Sequence, residues 1–312
     1  MKEFIIGQNE ENKRLDKFLK TVLPKAPDSF IYKMLRKKNI KLNDGKATGA
    51  EKLSLNDVVR IYFSDETFDS FAASPVAASD NEYTLAYKKL KGITIVYEDD
   101  DILVMNKPAN VLSQKSRPDD FSLNEWMIGY LLEKKCISVD SLVTFKPSVL
   151  NRLDKNTKGL VIGAKSLRAS QQVSAMIKDR SIRKFYRATV LGQVTNGATL
   201  EGYLIKDEAT NKVSVYKSKP SAPCEYIKTI YKPIEVFEDR TVLEIELVTG
   251  KSHQIRAHLA SIGHPILGDP KYGNKSFNDK YKMHTQDLTA VRIEFPEDGE
   301  IESLRGLVVR LD

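Results

Sequence analysis

Cysteine is scarce. Cys136 and Cys224 are the only two among 312 residues. They lie 88 positions apart, in neither metal nor redox spacing. A disulfide scaffold is excluded, and a reducing cytoplasm is the expected compartment. No run of eighteen apolar residues occurs, so no transmembrane helix is expected, and no membrane partner is expected either, because a surface binder needs a basic helix with an exposed apolar face and the apolar faces here look committed to small cores. The first residues, Met1 to Gln8, lack the apolar core of a signal peptide, so Asn274-Lys275-Ser276 carries no weight as a glycosylation sequon. Histidine is also sparse, at four. His253 and His258 stand five apart, roughly 140° around a helix, which suits a shared metal poorly. No metal is expected. Gly250-Lys251-Ser252 resembles the end of a phosphate-binding loop, but Ile245 sits where the first glycine is required. The acidic turn from Glu98 to Asp101 lacks calcium-loop spacing.

What is present points to a globular protein. Hydrophobic residues make up 41% and charged residues 29%, enough for real cores and against global disorder. At about 100–200 residues per domain, the length suggests two domains. Net charge is +7, and it is unevenly spread. Residues 1–65 hold 14 Lys/Arg against 9 Asp/Glu, leaving 35 against 33 for the rest. A local basic excess favours a polyanionic partner, nucleic acid or anionic membrane; the plainer alternative is a solvated basic face.

Leu15, Phe18, Leu19, Val22 and Leu23 repeat at helical spacing, and Pro24 and Pro27 end that helix. Asp28 or Ser29 is placed to cap a second helix. Its apolar positions are Ile31, Met34 and Leu35, while Lys33, Arg36 and Lys37 share another face. Asn43-Asp44-Gly45 marks a turn between short strands, and residues 57–63 read as a closing strand. Such a basic stripe would give salt-sensitive, largely sequence-independent phosphate contacts. Arg14-Leu15-Asp16-Lys17-Phe18-Leu19, the Lys-rich second helix and Ile40-Lys41-Leu42-Asn43 together resemble an S4-type RNA-binding domain. Small residues, Ser and one Pro around 72–80 then read as a linker. The expected division is a domain at 1–65, a linker at 66–82 and a second domain at 83–312.

In the second domain, residues 93–97 and 102–105 read as a hairpin. Residues 159–164 read as a buried strand, followed by a helix capped by Ser166 that runs to about Lys178. Residues 184–191 and 241–248 are further strands. Strands outnumber helices without a βαβ repeat, so the fold class is α+β with a mixed, mostly antiparallel sheet.

Three stretches carry chemistry: the polar loop Asn151-Arg152-Leu153-Asp154-Lys155-Asn156-Thr157-Lys158-Gly159, the strand segment Lys184-Phe185-Tyr186-Arg187-Ala188, and Gly250-Lys251-Ser252-His253-Gln254-Ile255-Arg256-Ala257-His258-Leu259 with Gly263-His264-Pro265 and Gly268-Asp269-Pro270 after it. Together with the S4-like segment they resemble the RluA-like pseudouridine synthases of the large-subunit rRNA branch, over nearly the whole chain. The resemblance implies isomerisation of uridine in RNA to its C-glycoside, without cofactor or metal, most naturally on large-subunit rRNA. A tRNA substrate and a non-catalytic rRNA-binding or ribosome-assembly factor are the alternatives.

The resemblance assigns catalysis to Asp154, an ion-pairing role to Arg256, and contact with the base to Tyr186. A carboxylate suits the reaction, acting at the sugar as nucleophile or as base. Burial would raise its pKa, and a neighbouring cation would lower it. A helix starting near Ser252 would put His253 and Arg256 on one face, over a core stripe of Ile255, Leu259 and Ile262. Arg152 is a candidate to fill the gap left by a base that leaves its stack. His253, Lys33, Arg36 and Lys37 complete the expected RNA contacts, and a monomer suffices. Asn151 and Lys158 depart from the family pattern, which has His and Ser there; both bear on substrate contacts, not on Asp154.

Overall fold

A computed structural model describes residues 1–7, 9–72 and 77–311. The chain divides into two compact units. The first comprises Met1–Lys89, Glu125–Ser148 and Lys165–Arg168; the second comprises Leu90–Asn124, Val149–Ala164 and everything from Ala169 onward.

The first unit opens with β1 (Lys2–Ile5), α1 (Leu15–Val22), α2 (Asp28–Arg36), β2 (Ile40–Leu42), β3 (Gly45–Lys46) and β4 (Val58–Ile61). The strands form an antiparallel sheet in the order β1-β4-β2-β3. The predicted apolar stripes are its core: Leu15, Phe18, Leu19 and Val22 from α1 meet Ile31, Met34 and Leu35 from α2. Lys33, Arg36 and Lys37 are exposed, as the spacing requires. Asn43 and Asp44 both take positive φ, which turns the chain tightly between β2 and β3. Pro27, not Asp28 or Ser29, occupies the N-cap of α2, and no side chain caps that end.

The stretch expected to be a linker contains regular structure. α3 (Asp65–Phe71) starts at Ser64, whose hydroxyl accepts from the Thr67 amide, and α4 (Ala77–Lys89) follows. Phe30 and Phe71 have ring centroids 4.4 Å apart, so α3 belongs to the core of the first unit. Short polar composition hid this, because α3 packs half-buried Phe68 and Phe71 against Phe4 and Phe30, which lie far earlier in the chain. Residues 73–76, the centre of the linker expectation, lie outside the described residues.

The second unit begins with the predicted hairpin, β5 (Thr94–Glu98) and β6 (Ile102–Lys107). After α5 (Leu123–Glu133), most of which belongs to the first unit, come β7 (Ser148–Val149), β8 (Lys158–Ala164), α6 (Leu167–Asp179), β9 (Arg183–Leu191), β10 (Ala198–Asp207), β11 (Lys212–Tyr216), β12 (Glu225–Val236), β13 (Arg240–Leu247), α7 (Gln254–Ser261), α8 (Lys275–Lys280), β14 (Leu288–Glu294) and β15 (Val308–Arg310). The main sheet runs β11-β10-β12-β13-β9-β14-β8-β6-β5. Along that path only β14 and β8 pair in parallel, so the sheet is mixed and mostly antiparallel.

Two apolar clusters fix what covers the sheet. Ile102, Val104, Leu160, Ile162, Ala169, Val173 and Ile293 form one beneath α6. Leu204, Val213, Ile227 and Ala257 form the other, which seats α7 on β10 to β12. α7 begins at Gln254, one residue later than the face argument needed. His253 is its N-cap, in the left-handed region at φ 56°, so His253 and Arg256 do not share a helical face.

Candidate active site

The polar loop 151–157 is fastened from four directions within the second unit. Asn151 is buried; its Oδ1 accepts from the Ile162 amide at 2.7 Å, and its Nδ2 donates to the Leu160 carbonyl. Asn151 therefore stitches the loop to β8, a structural role for a residue that departs from the family pattern. The Ser113 hydroxyl accepts from the Leu153 amide and donates to the Leu153 carbonyl, both at 3.0 Å. Gln286 Nε2 donates to Thr157 Oγ1 at 3.0 Å. Lys107 is completely buried, and its Nζ donates to the carbonyls of Pro108, Val111 and Lys155 at 3.0, 2.8 and 3.1 Å. Burial pushes the Lys107 ammonium down to about 8, with the Asp154 charge pulling it back up. Gly159 closes the loop at φ +111°, and a Cβ there would overlap the Ala290 backbone on β14.

This frame presents Asp154 to a cavity of about 950 Å³. Arg256 Nη1 donates to Asp154 Oδ2 at 2.9 Å. The other two guanidinium nitrogens are engaged by a second carboxylate: Nε meets Asp269 Oδ2 at 2.7 Å, and Nη2 meets Asp269 Oδ1 at 2.9 Å. The Asp269 and Arg256 side chains are 0% and 5% exposed, whereas Asp154 is 27% exposed. Burial penalises the Asp269 carboxylate, but Arg256 and the amides of Lys271 and Tyr272 outweigh it and hold its pKa below the usual range. Burial likewise penalises Arg256, and Asp269 followed by Asp154 keeps it charged. A fork with three committed donors is a rigid support for one open carboxylate.

α7 is itself held in register. Gln254 accepts from Thr249 Oγ1 and the Lys251 amide, and donates to the Lys228 carbonyl and Thr229 Oγ1. His258 Nδ1 lies 3.0 Å from Thr229 Oγ1, and burial pushes its imidazole down to about 4. His253 Nδ1 lies 3.0 Å from the Tyr272 hydroxyl, with its Nε2 4.0 Å from Asp154 Oδ2. Burial lowers the His253 pKa against the pull of Asp154.

Tyr186 on β9 lines the same cavity, and burial, reinforced by the Asp154 charge, raises its phenol above the ordinary value. Arg152 is exposed on the cavity rim. The structure thus brings Asp154, Tyr186, Arg256, His253 and Arg152 to one cavity; Lys33, Arg36 and Lys37 belong to the first unit. Sequence reasoning missed Asp269, Lys107, Ser113 and Gln286. Asp269 carried a faint signal, as an aspartate between Gly268 and Pro270 just beyond the Arg256 helix.

A family model described as RNA pseudouridylate synthase matches residues 101–261, more than half of the chain. Ribosomal large subunit pseudouridine synthase C of Pasteurella multocida is 28% identical over 96% of this chain and 88% of its own. The uncharacterized RNA pseudouridine synthase of Mycoplasma capricolum is 31% identical over 95% of this chain and 92% of its own. Among solved structures, human RNA pseudouridylate synthase domain containing 4 shares the fold with a TM-score of 0.57. It is 18% identical, covering 76% of this chain and 93% of that one. The chain belongs to the RNA pseudouridylate synthase family. It is an isomerase that converts uridine in RNA to pseudouridine.

Proposed function

We propose that the substrate is large-subunit rRNA and that Asp154 performs the chemistry. Two relatives, from Pasteurella multocida and Yersinia pestis, bear the name ribosomal large subunit pseudouridine synthase C, which supports the choice of RNA. The observation that carries the assignment of Asp154 is its setting: a partly open carboxylate, braced at 2.9 Å by an arginine whose remaining donors are spent on buried Asp269.

In this reading the target uridine leaves its stack and enters the cavity, as bases do for other base-modifying enzymes. The N1–C1′ bond breaks, the uracil turns, C5 bonds to C1′, and the proton lost from C5 is balanced by one gained at N1. Asp154 acts at the sugar as nucleophile or as base. Tyr186 packs against the base, and stacking of that kind is worth roughly 1–3 kcal/mol. Arg152 fills the vacated place in the RNA, and His253 contacts the substrate beside Asp154. Lys33, Arg36 and Lys37 on α2 hold flanking phosphates, with residues 1–65 serving as the S4-like RNA-binding module. The enzyme works as a cytoplasmic monomer on RNA and uses side chains alone.

The test is carbodiimide-dependent primer extension on rRNA and tRNA from cells with and without the gene, restored with wild type or Asp154→Asn. A large-subunit rRNA site that is lost and returns only with wild type supports both assignments. A lost tRNA site overturns the substrate. Restoration by Asp154→Asn overturns the residue.

A further inference from the structure

Two lysines sit in or beside the cavity with their charged forms penalised by burial, Lys107 and Lys184. They differ in what compensates them. Lys107 donates to three carbonyls. Lys184 is half-buried, with no carboxylate within ion-pair distance and no hydrogen-bond acceptor among the described residues, and burial alone pulls its pKa down. An ammonium desolvated by protein and left without a counter-charge is unfavourable unless something else supplies one.

Its position says what that something is. Lys184 and Tyr186 are two apart on β9, so both project from the same sheet face, roughly 6.6 Å apart along the strand. Both line the cavity that holds Asp154. Phe185 projects from the opposite face, beneath the Arg292 guanidinium at 3.8 Å. The loop after β13 passes close by: a Cβ built on Gly250 would stand 3.8 Å from Lys184 Nζ. Exposed Lys178 and Arg180 also border the cavity. The anions that RNA carries are phosphodiesters.

We propose that Lys184 is a phosphate subsite that takes the phosphodiester adjoining the target uridine. This rests on the reading that the uridine enters this cavity. A nucleotide whose base reaches Tyr186 carries its backbone past Lys184. There the phosphate completes an ion pair that the folded protein leaves half made. Lys184 holds the substrate in place and takes no part in bond making.

The first measurement is equilibrium binding of an oligouridine across a potassium chloride series, for wild type, Lys184→Met and Lys184→Arg. It needs no knowledge of the natural target. Lys184→Met is expected to bind about 10- to 100-fold more weakly, with a salt slope shallower by about one; Lys184→Arg retains the slope. The second is isomerisation of transcribed large-subunit rRNA. Lys184→Met raises KM by a similar factor, and a neutral methylphosphonate beside the uridine weakens wild type but not Lys184→Met. Equal slopes and KM values for wild type and Lys184→Met would overturn the subsite. So would a methylphosphonate penalty that survives in Lys184→Met. If Lys184→Met does not fold, the methylphosphonate series on wild type decides: no penalty at either adjoining linkage excludes the contact. Failure of wild type to modify the rRNA would count against the substrate assignment and leave the oligouridine result standing.

Discussion

Asp269 grips Arg256 through both Nε and Nη2, at 2.7 and 2.9 Å, leaving only Nη1 to face Asp154. The orientation of the arginine is thus set by a carboxylate that touches no part of the cavity. Asp269→Asn is expected to lower kcat by about 10- to 100-fold, since the fork loses its charged anchor while Asp154 and Arg256 both remain. Removing one member of a buried pair also costs about 3–5 kcal/mol of stability. Single-turnover kinetics and urea unfolding measure the two effects separately. An Asp269→Asn enzyme with wild-type kcat would show that Arg256 needs no such anchor.

Gly159→Ala should be worse than its size suggests. The backbone sits at φ +111°, and the new methyl would meet the Ala290 backbone where β8 and β14 pair. We expect a loss of several kcal/mol and poor recovery of folded protein, read from a thermal melt. A variant melting within a few degrees of wild type would contradict this packing.

His258 gives the stability a defined dependence on acid. In the folded chain it takes up a proton only near pH 4; unfolded, it does so near 6.5. Between those values the unfolded state binds more protons, so stability falls as pH falls, by up to about 3 kcal/mol. The lowered pKa of His253 acts in the same direction. In His258→Asn the difference in urea-unfolding free energy between neutral and acid solution should shrink by about that amount.

Replacing Lys33, Arg36 and Lys37 together by Ala should weaken RNA binding and flatten its salt dependence by about two. The three are exposed on α2 while its core face stays intact, so folding is spared. An unchanged salt slope would mark them as a solvated face.

Periodicity made the α1–α2 pair legible, because each helix buries one face against its neighbour; the β5–β6 hairpin was legible as two apolar runs flanking an acidic turn. The loop around Asp154 was legible through its resemblance to a family. What escaped were partners set far apart: Lys107 and Ser113 reach the loop across 48 and 40 positions, and Gln286 across 129. A lysine ending a strand looks like a solvated end until the carbonyls around it are seen. The β10–β12 strands mix Tyr, Lys and Glu on a half-covered surface, and such strands carry weak alternation. The face argument for Arg256 assumed a helix that includes His253. The left-handed turn at His253 overrides it, and Arg256 meets Asp154 by a different route.

The fastening of the 151–157 loop also sets a time order for the life of the molecule. Its holds come from β6, from the residues after it, from β8 and finally from Gln286, just ahead of β14. On a chain emerging from the ribosome, the segment bearing Asp154 appears long before its last support. Until Gln286 has emerged, the hold on Thr157 is missing and the fastening of that segment is incomplete.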